Sequence, residues 1–320
     1  MLEFNSRNIK TWAMTGPSGA LGMVAADLAV SDPDFAVVTS DLCFFSGLER
    51  MKEQSPKQLF NVGIAEQNMV NVAAGMTKEG MTVFATTYAT FAATRVLDQV
   101  RVSMGYMGLP VNLIGLTSGY AVGILGATHM SIEDIAALRA IPQMIILSPA
   151  DCTETVKCLY AAAASERPVY IRLCGGQRTP IVYSEDYDFE IGKAITLREG
   201  EDVVLYATGT MVHEALKTAE LLQEKGVSAK VVDMHTIKPI DEDCIKSNLD
   251  TRLLVSMEEH STIGGLGSAI AEVLAMEEKR PRHLMIGMPD HYPHAAGYEY
   301  LMKEAGLTAE SACERILKSL

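Results

Sequence analysis

A single acid lies between two apolar stretches in the segment FNVGIAEQNMVNVAAGMTKEG, residues 60–80. Glu66 follows Gly63, Ile64 and Ala65, and apolar residues at helical spacing come after it. The segment therefore predicts a strand that turns into a helix, with Glu66 at the junction. Two interpretations of this carboxylate are open. It is either an acid in the first turn of the helix, favoured by the helix dipole, or a buried acid whose pKa is raised by desolvation, so that it can share a proton with a ring nitrogen. The neighbouring motifs decide between these two interpretations.

Three further motifs carry side chains that are able to stack, bind or move protons. Tyr88 and Phe91 lie in TTYATFAATR, and His129 lies in GATHMSIEDIAALR, just ahead of a predicted helix. Asp41 and Leu42 end the predicted strand FAVVTSDL. Each has an ordinary alternative, because phenylalanine is common in cores, histidine caps helices and aspartate is frequent in turns.

The sequence offers no convincing metal site. His291 and His294 form one HxxH in PDHYPHAAG, but Pro293 interrupts it, no helix is predicted beneath it and two ligands are too few. The six cysteines are scattered without a CxxC pair. The run IGGLGSA lacks the spacing of a dinucleotide fingerprint. We therefore predict no metal ligands in this chain.

Apolar, β-rich segments alternate with segments of helical period along most of the chain. The first half reads FAVVTSDL, IAEQNMVNVAAGM, TVFATTY, a helix near 90–104, PVNLIGLT, IEDIAALRAI, MIILSP, ETVKCLYAAAAS and VYIRL. The pattern stops in GGQRTPIVYSEDYDFEIG and restarts with DVVLYATG, VHEALKTAELLQEKG, AKVVDM and RLLVSMEE. This alternation predicts an α/β fold of two doubly wound domains with mostly parallel sheets. We place the domains at residues 1–180 and 194–320, with a linker at 181–193.

Composition argues against several classes of function. The 320-residue chain has a net charge of -13 and no cluster of Lys and Arg that would bind nucleic acid. Its longest apolar runs, such as IPQMIIL, are far shorter than the roughly 20 residues that span a bilayer. The N-terminal MLEFNSRNIKTW lacks the apolar core of a signal peptide. We therefore expect a cytoplasmic protein with no nucleic-acid or membrane partner.

The order of these motifs resembles the transketolase family of thiamine diphosphate enzymes. GIAEQ around Glu66, ATF ending at Phe91, ATH ending at His129, LSPAD ending at Asp151 and the later EEHSTIGGLG stand in that family's order. The resemblance covers nearly the whole chain and is closer to the separate C-terminal subunit of a split transketolase. It implies that the two domains are the family's pyrimidine-binding domain and its C-terminal domain.

The resemblance also implies roles for the residues around the cofactor. Glu66 matches the acid that lies against N1′ of the aminopyrimidine, where a hydrogen bond from a buried carboxyl favours the tautomer that accepts the proton of thiazolium C2. Phe91 matches the aromatic residue that stacks on the pyrimidine ring, and Tyr88 is the second candidate. Asp41 and Leu42 match the strand end beside the cofactor.

One motif of the family is missing. The diphosphate half of thiamine diphosphate needs Mg²⁺ and a GDG motif followed by Asn, and no GDG occurs in this sequence. The resemblance therefore implies that Mg²⁺ is held mainly by an N-terminal transketolase subunit. It further implies a site formed between the two kinds of chain in a two-fold symmetric assembly, α2β2.

The segment around His129 departs from the family's pattern. His129 matches the histidine near the reacting carbon, which steadies a substrate hydroxyl or shuttles a proton. Leu125 in GILGATHM replaces an aspartate that contacts sugar hydroxyls, and Met130 replaces a glutamine. Gly175 stands where related enzymes often carry a phosphate-binding Arg, and losing that contact removes about 1.5–3 kcal/mol. We hypothesise transfer of a two-carbon ketol unit from a ketose to an aldose, with a substrate that is less hydroxylated, differently charged or unphosphorylated.

Other readings stay open. 1-Deoxyxylulose-5-phosphate synthase shares GIAEQ but is one long chain, and the β-subunit of 2-oxoacid dehydrogenases has a different acid motif and lacks ATHMSIEDIAALR. A scaffold that kept the fold and lost catalysis is a third possibility, against which the retained Glu66 and Phe91 speak. A flavodoxin-like or nicotinamide enzyme is disfavoured because no phosphate loop is present.

Overall fold

The computed structural model describes residues 1–320 and contains two separate sheets. The first sheet has seven strands in the spatial order β10-β5-β6-β4-β3-β1-β2. All of its neighbouring pairs are parallel except β10 with β5. Its strands are β1 (Phe35–Thr39), β2 (Leu59–Asn61), β3 (Thr82–Tyr88), β4 (Asn112–Ser118), β5 (Ile145–Leu147), β6 (Val169–Cys174) and β10 (Thr236–Lys238).

Helices cover both faces of this sheet. The helices are α1 (Ser6–Ser31), α2 (Glu49–Gln54), α3 (Glu66–Lys78), α4 (Leu97–Gln99), α5 (Asp134–Arg139) and α6 (Cys152–Ala163). Helix α4 is flanked by the π-helical segments Phe91–Arg95 and Val100–Tyr106. One apolar core lies between the sheet, α3, the segment Val100–Tyr106 and α5, and it continues into the second half of the chain through side chains such as Tyr206 and Ile270. Another lies between the sheet and α1, α2 and α6. Strands β1, β3, β4 and β6 are buried along almost their full length, as expected when both faces are covered. The edge strand β2 is partly exposed.

The second sheet has five strands in the order β12-β11-β8-β9-β7, parallel except for β7 with β9. Its strands are β7 (Ile195–Arg198), β8 (Val203–Ala207), β9 (Ala229–Asp233), β11 (Leu253–Ser261) and β12 (Arg282–Met288). Its helices are α7 (Met211–Glu224), α8 (Glu242–Lys246), α9 (Leu266–Ala275), α10 (Tyr298–Glu304) and α11 (Ala309–Leu317). The predicted fold class, two α/β domains with mostly parallel sheets, is confirmed.

The two halves of the chain are interleaved where they meet. No helix or strand lies between the end of β6 at Cys174 and the start of β7 at Ile195. Strand β10 comes from the second half of the chain but extends the first sheet by pairing with β5. No helix combines the length and the apolar composition that crossing a membrane requires.

Three carboxylates lie together where α6, the segment before β7 and β9 meet. Asp151 accepts backbone N–H donors, including that of Tyr183 at 2.9 Å. Glu154 accepts the hydroxyl of Tyr187 at 3.0 Å, and Asp233 accepts the hydroxyl of Tyr183 at 2.7 Å. The Oδ1 atom of Asp233 is buried and has no hydrogen-bond donor. Burial raises the pKa of Asp233 to about 7 and that of Glu154 well above 4.5, so this pair retains a proton near neutral pH.

We predict that this pair makes the fold less stable as pH rises from about 4 to about 7. The folded-state pKa of Asp233 lies above its unfolded value of 3.8, so the folded state binds more protons in this window. The free energy of unfolding then decreases by about 1.4 kcal/mol per pH unit for one such group. Asp233→Asn mimics the protonated acid and should reduce this loss, leaving the part that comes from the buried Glu154. Urea unfolding at several pH values between 4 and 7 measures this: the free energy of unfolding of the variant, relative to that of the wild-type chain, should increase as pH rises. The exposed Asp243→Asn is the control, and a pH-independent difference for Asp233→Asn would contradict the assignment.

Candidate active site

The candidate residues lie in the segments that follow β1, β2, β3 and β4, at the carboxyl edge of the first sheet. This edge is where open α/β sheets place ligands, because the loops after parallel strands converge there. Glu66 is the first residue of α3 and is only 5% exposed. Glu66 is thus an acid in the first turn of α3 that is also buried, and its role towards a cofactor stays a prediction.

The chain ahead of Glu66 is fixed by one asparagine. The side-chain oxygen of Asn61 accepts the backbone N–H groups of Asp41 and Gly63, both at 3.0 Å. Its amide donates to Oδ1 of Asp41 at 3.1 Å. Asp41 and Gly63 both have positive φ angles, 60° and 75°. Asn61 thus ties the end of β1 to the turn that delivers Glu66, and Asp41 contributes here to the backbone geometry.

Arg95 is the nearest charged partner of Glu66, and the sequence analysis missed it. Its Nη1 atom donates to Oε1 of Glu66 at 3.0 Å, and its guanidinium carbon lies 3.8 Å from the centroid of the Phe91 ring. One arginine therefore contacts both the buried acid and the aromatic residue predicted to stack on the pyrimidine. The spacing of Phe91 and Arg95, four residues apart in a predicted helix, was a usable signal.

The structure brings Tyr88, Phe91 and His129 together. The ring centroids are 6.2 Å apart for Tyr88 and Phe91, 5.9 Å for Tyr88 and His129, and 5.4 Å for Phe91 and His129. His129 comes from the segment after β4, whereas Tyr88 ends β3 and Phe91 follows it. Phe91 joins this group to Glu66 through Arg95, so four of the predicted site residues form one continuous cluster.

Leu42 and Leu125 occupy more peripheral positions. Leu42 is half-buried and packs against the core on the α1 side of the first sheet. Leu125 is exposed, at the end of the 3₁₀ turn Gly123–Leu125, and belongs to none of the three apolar cores. Its predicted contact with substrate stays a prediction.

The remaining histidines lie outside the cluster. His260 is fully buried: its Nδ1 donates to the carbonyl of Ser261 at 2.7 Å, and its Nε2 accepts the N–H of Ala136 at 3.4 Å. Burial lowers its pKa to about 4, so His260 is neutral at pH 7 and packs β11 against α5. His291 and His294 are exposed. No group of three or more His, Cys, Asp or Glu side chains is arranged to hold a metal ion.

A cavity of about 590 Å³ lies between the two domains, away from the cluster. Arg178, Thr210 and Lys217 are among its lining residues, together with Gly175, the position where related enzymes often carry an arginine. None of the residues of the cluster lines it. Exposed apolar side chains lie near the candidate residues instead. Ile64, two residues before Glu66, is 79% exposed, and Phe44 and Phe45, which adjoin Tyr88, are 68% and 55% exposed. Apolar side chains are therefore exposed to solvent at this edge of the sheet.

The fold and the site define a two-domain α/β chain with a buried acid and an aromatic cluster at the carboxyl edge of a parallel sheet. Residues 17–177 match the family "Transketolase, pyrimidine binding domain", and residues 192–311 match "Transketolase, C-terminal domain". The chain belongs to the transketolase family, which confirms the resemblance read from its motifs. The pyrimidine-binding domain implies thiamine diphosphate as the cofactor.

Similar proteins include separate C-terminal chains of this family. A putative transketolase C-terminal section of Methanocaldococcus jannaschii is 39% identical over 302 residues, covering 94% of this chain and 92% of that protein. The 6-deoxy-6-sulfo-D-fructose transketolase subunit SqwH of a Clostridium species is 40% identical over 288 residues, covering 89% and 88%. A solved split-gene transketolase, described as an inactive β4 tetramer, has a TM-score of 0.85 at 37% identity and covers 95% of this chain and 97% of that one.

We predict that Arg95 and Glu66 are energetically coupled. Arg95→Met removes the ion pair while keeping most of the side-chain length, and it should lower the free energy of unfolding by about 1 kcal/mol, a value reduced because solvent screens the half-exposed Arg95. In a Glu66→Gln background the same change should cost much less. Urea unfolding of the double-mutant cycle measures the difference.

The control is Arg101→Met. Arg101 pairs with Asp98 at 3.5 Å on the surface, where both side chains are mostly exposed. Its loss should leave stability nearly unchanged. Strictly additive effects of Arg95→Met and Glu66→Gln would rule out the coupling.

Proposed function

We propose that this chain is the pyrimidine-binding half of a split transketolase that moves a two-carbon ketol unit from a ketose donor to an aldose acceptor. The observation that carries the proposal is the burial of Glu66 beside Phe91 and within one cluster with His129. A buried carboxylate and a histidine at opposite ends of an aromatic group are suited to holding protons on a cofactor ring and on a substrate.

The residues of the cluster fit the aminopyrimidine of thiamine diphosphate. When bound, this cofactor supplies the carbon nucleophile for cleaving a bond next to a ketone. Glu66 would hold a proton at the ring nitrogen N1′, and Phe91, with Tyr88, would offer an aromatic face to the ring. Asp41 and Leu42 would flank it. His129 would hold or move a proton at a substrate hydroxyl, and Leu125 would face the substrate without a polar contact.

A second kind of chain completes the site in this proposal. The sequence has no GDG motif, and no group of three or more His, Cys, Asp or Glu side chains is arranged to hold a metal ion. In this proposal an N-terminal transketolase subunit therefore binds the diphosphate and its Mg²⁺. Three exposed apolar side chains are suited to contact with that subunit: Ile64, which is near Glu66 in sequence, and Phe44 and Phe45, which adjoin Tyr88. Relatives named as sections or subunits of transketolases support a partner, and we propose an α2β2 assembly.

The substrates are proposed to differ from the usual phosphorylated pentoses. Gly175, which stands in place of a phosphate-binding arginine, has a φ angle of 78° that favours glycine. The exposed Leu125 offers no hydrogen bond to a sugar hydroxyl, whereas Met130 is buried in the core of the second domain and does not face this surface. The relative named for 6-deoxy-6-sulfo-D-fructose supports a substrate with altered polar groups.

Glu66→Gln tests the proton-holding role. With the N-terminal subunit, Mg²⁺ and thiamine diphosphate present, the variant should fold and assemble but lose about 10²–10⁴-fold in the rate of hydrogen exchange at C2 of the cofactor, since the amide cannot exchange a proton with the ring. NMR of quenched samples measures this exchange. Glu79→Gln, an exposed acid just after α3, should exchange normally. Normal exchange in Glu66→Gln would refute the role.

Steady-state kinetics of the reconstituted pair test the choice of substrate. We expect the highest kcat/KM for a ketose whose far end lacks the usual phosphate or hydroxyl pattern. Pyruvate with glyceraldehyde 3-phosphate is the arm that detects 1-deoxyxylulose-5-phosphate synthase activity. Best turnover of xylulose 5-phosphate with ribose 5-phosphate, far above every other pair, would overturn the proposal of atypical sugars.

A further inference from the structure

The segment that carries His129 is held mainly by the second domain. We call residues 119–133 the histidine loop. It leaves β4 and closes on itself through two backbone hydrogen bonds: the N–H of Gly119 donates to the carbonyl of Ser131 at 2.9 Å, and the N–H of Ser131 donates back at 3.3 Å. Leu125 and His129 lie between these two residues.

Apolar side chains anchor the loop in the core of the other domain. Tyr120, Met130 and Ile132 are buried, and all three belong to the apolar core that is built from β8, β11, α7, α10 and α11. The N–H of Ser261 at the end of β11 donates to the carbonyl of Ile132 at 2.8 Å. The base of the histidine loop is thus part of the second domain's core, although its sequence lies in the first domain.

One buried acid of β11 binds the start of the loop. Glu259 is 1% exposed, and its Oε1 atom accepts the backbone N–H of Tyr120 at 2.8 Å. Its Oε2 atom accepts the hydroxyl of Thr210 and, at 2.8 Å, that of Tyr298. A Cβ atom at residue 119 would lie 2.2 Å from Oε1, so Gly119, with φ of 68°, is required for the acid to approach.

The outer part of the loop also rests on the second domain. The N–H of Ala296 donates to the carbonyl of Gly123 at 3.2 Å, and a Cβ atom at residue 123 would lie 2.7 Å from the carbonyl oxygen of Ala296. A Cβ atom on Gly126 would lie 3.6 Å from that of Ala295. The hydroxyl of Tyr292 donates to Oε1 of Glu133 at 3.2 Å. Contacts therefore run from one end of the loop to the other.

We propose that the second domain is the template that sets the position of His129 over Phe91 and Tyr88, and that Glu259 is a positioning residue for the ketose substrate. Three glycines and no regular element beyond one 3₁₀ turn give the loop little order of its own, so its geometry comes from the surface that it lies on. Glu259 does not touch the site and acts through the backbone of Tyr120. This proposal rests on the ketol transfer proposed above.

Glu259→Ala tests the proposal, and Glu258→Ala is its matched control. Glu258 is the preceding residue of β11 and equally buried, but its carboxylate accepts the N–H groups of Leu266 and Gly267 at the start of α9. Glu259→Gln is the conservative rescue, because its amide oxygen can still accept from Tyr120 and its amide N–H groups can donate to the two hydroxyls. Tyr298→Phe, which removes one donor to Glu259, serves if Glu259→Ala does not fold.

Two measurements are made on the full chain and on the pair reconstituted with the N-terminal subunit. Hydrogen–deuterium exchange needs no sugar: Glu259→Ala should speed exchange within residues 119–133 by about tenfold or more and leave 60–80 unchanged, whereas Glu258→Ala should not affect the loop. In turnover, Glu259→Ala should lose about 10–100-fold in kcat/KM for the ketose while hydrogen exchange at C2 of the cofactor stays within about twofold. Glu259→Gln should restore both.

The outcomes separate this proposal from the one it rests on. Unchanged loop exchange in Glu259→Ala, or in Tyr298→Phe if that variant is used, would overturn the template. Equal losses of kcat/KM in Glu259→Ala and Glu258→Ala would overturn the positioning role of Glu259. A wild-type pair that exchanges the C2 proton but transfers no ketol unit would instead overturn the proposed function, while the loop-exchange comparison would still support or contradict the template.

Discussion

A carboxylate taken out of water must find a partner, and this constraint organises both the fold and the site. Desolvation of an unpaired buried charge is too costly to leave uncompensated. Four kinds of partner compensate the buried acids of this chain. Glu66 pairs with a guanidinium, Glu258 accepts backbone N–H groups, and Glu259 accepts hydroxyl groups and one backbone N–H. Glu154 and Asp233 retain a proton instead. Each solution fixes the elements that provide the donors.

The buried acids differ in the number of donors that hold them, and this difference separates structural acids from the acid of the candidate site. Buried acids with several fixed donors lock elements together, as Glu258 does for α9 and Glu259 does for the loop of His129. Glu66 has a single half-exposed partner, Arg95, and lies at an apolar edge that stays open. Because Arg95 is its one charged partner, Glu66 can replace this ion pair by a hydrogen bond to a ring nitrogen, as the proposed chemistry requires.

The sequence predicted what depends on local pattern and missed what depends on distant contacts. Strand and helix alternation gave the two α/β domains, and the apolar surroundings of Glu66 indicated its place at the start of α3. Strand β10 was not predicted in the first sheet, because three residues carry no sign of which sheet they join. Helix α1 was missed because Gly16 and Pro17 interrupt it. The bond from Tyr120 to Glu259 joins residues 139 positions apart, and no local pattern encodes it.

The central claim is that Glu66 forms half of a cofactor site whose other half lies on a second chain. The most direct measurement is the affinity for thiamine diphosphate with Mg²⁺, by calorimetry, of this chain alone, of the N-terminal subunit alone and of the two together. The account predicts that the mixture binds at least about a hundredfold more tightly than either chain alone, which corresponds to about 2.7 kcal/mol. Equal affinity for the mixture and for the N-terminal subunit alone would contradict it.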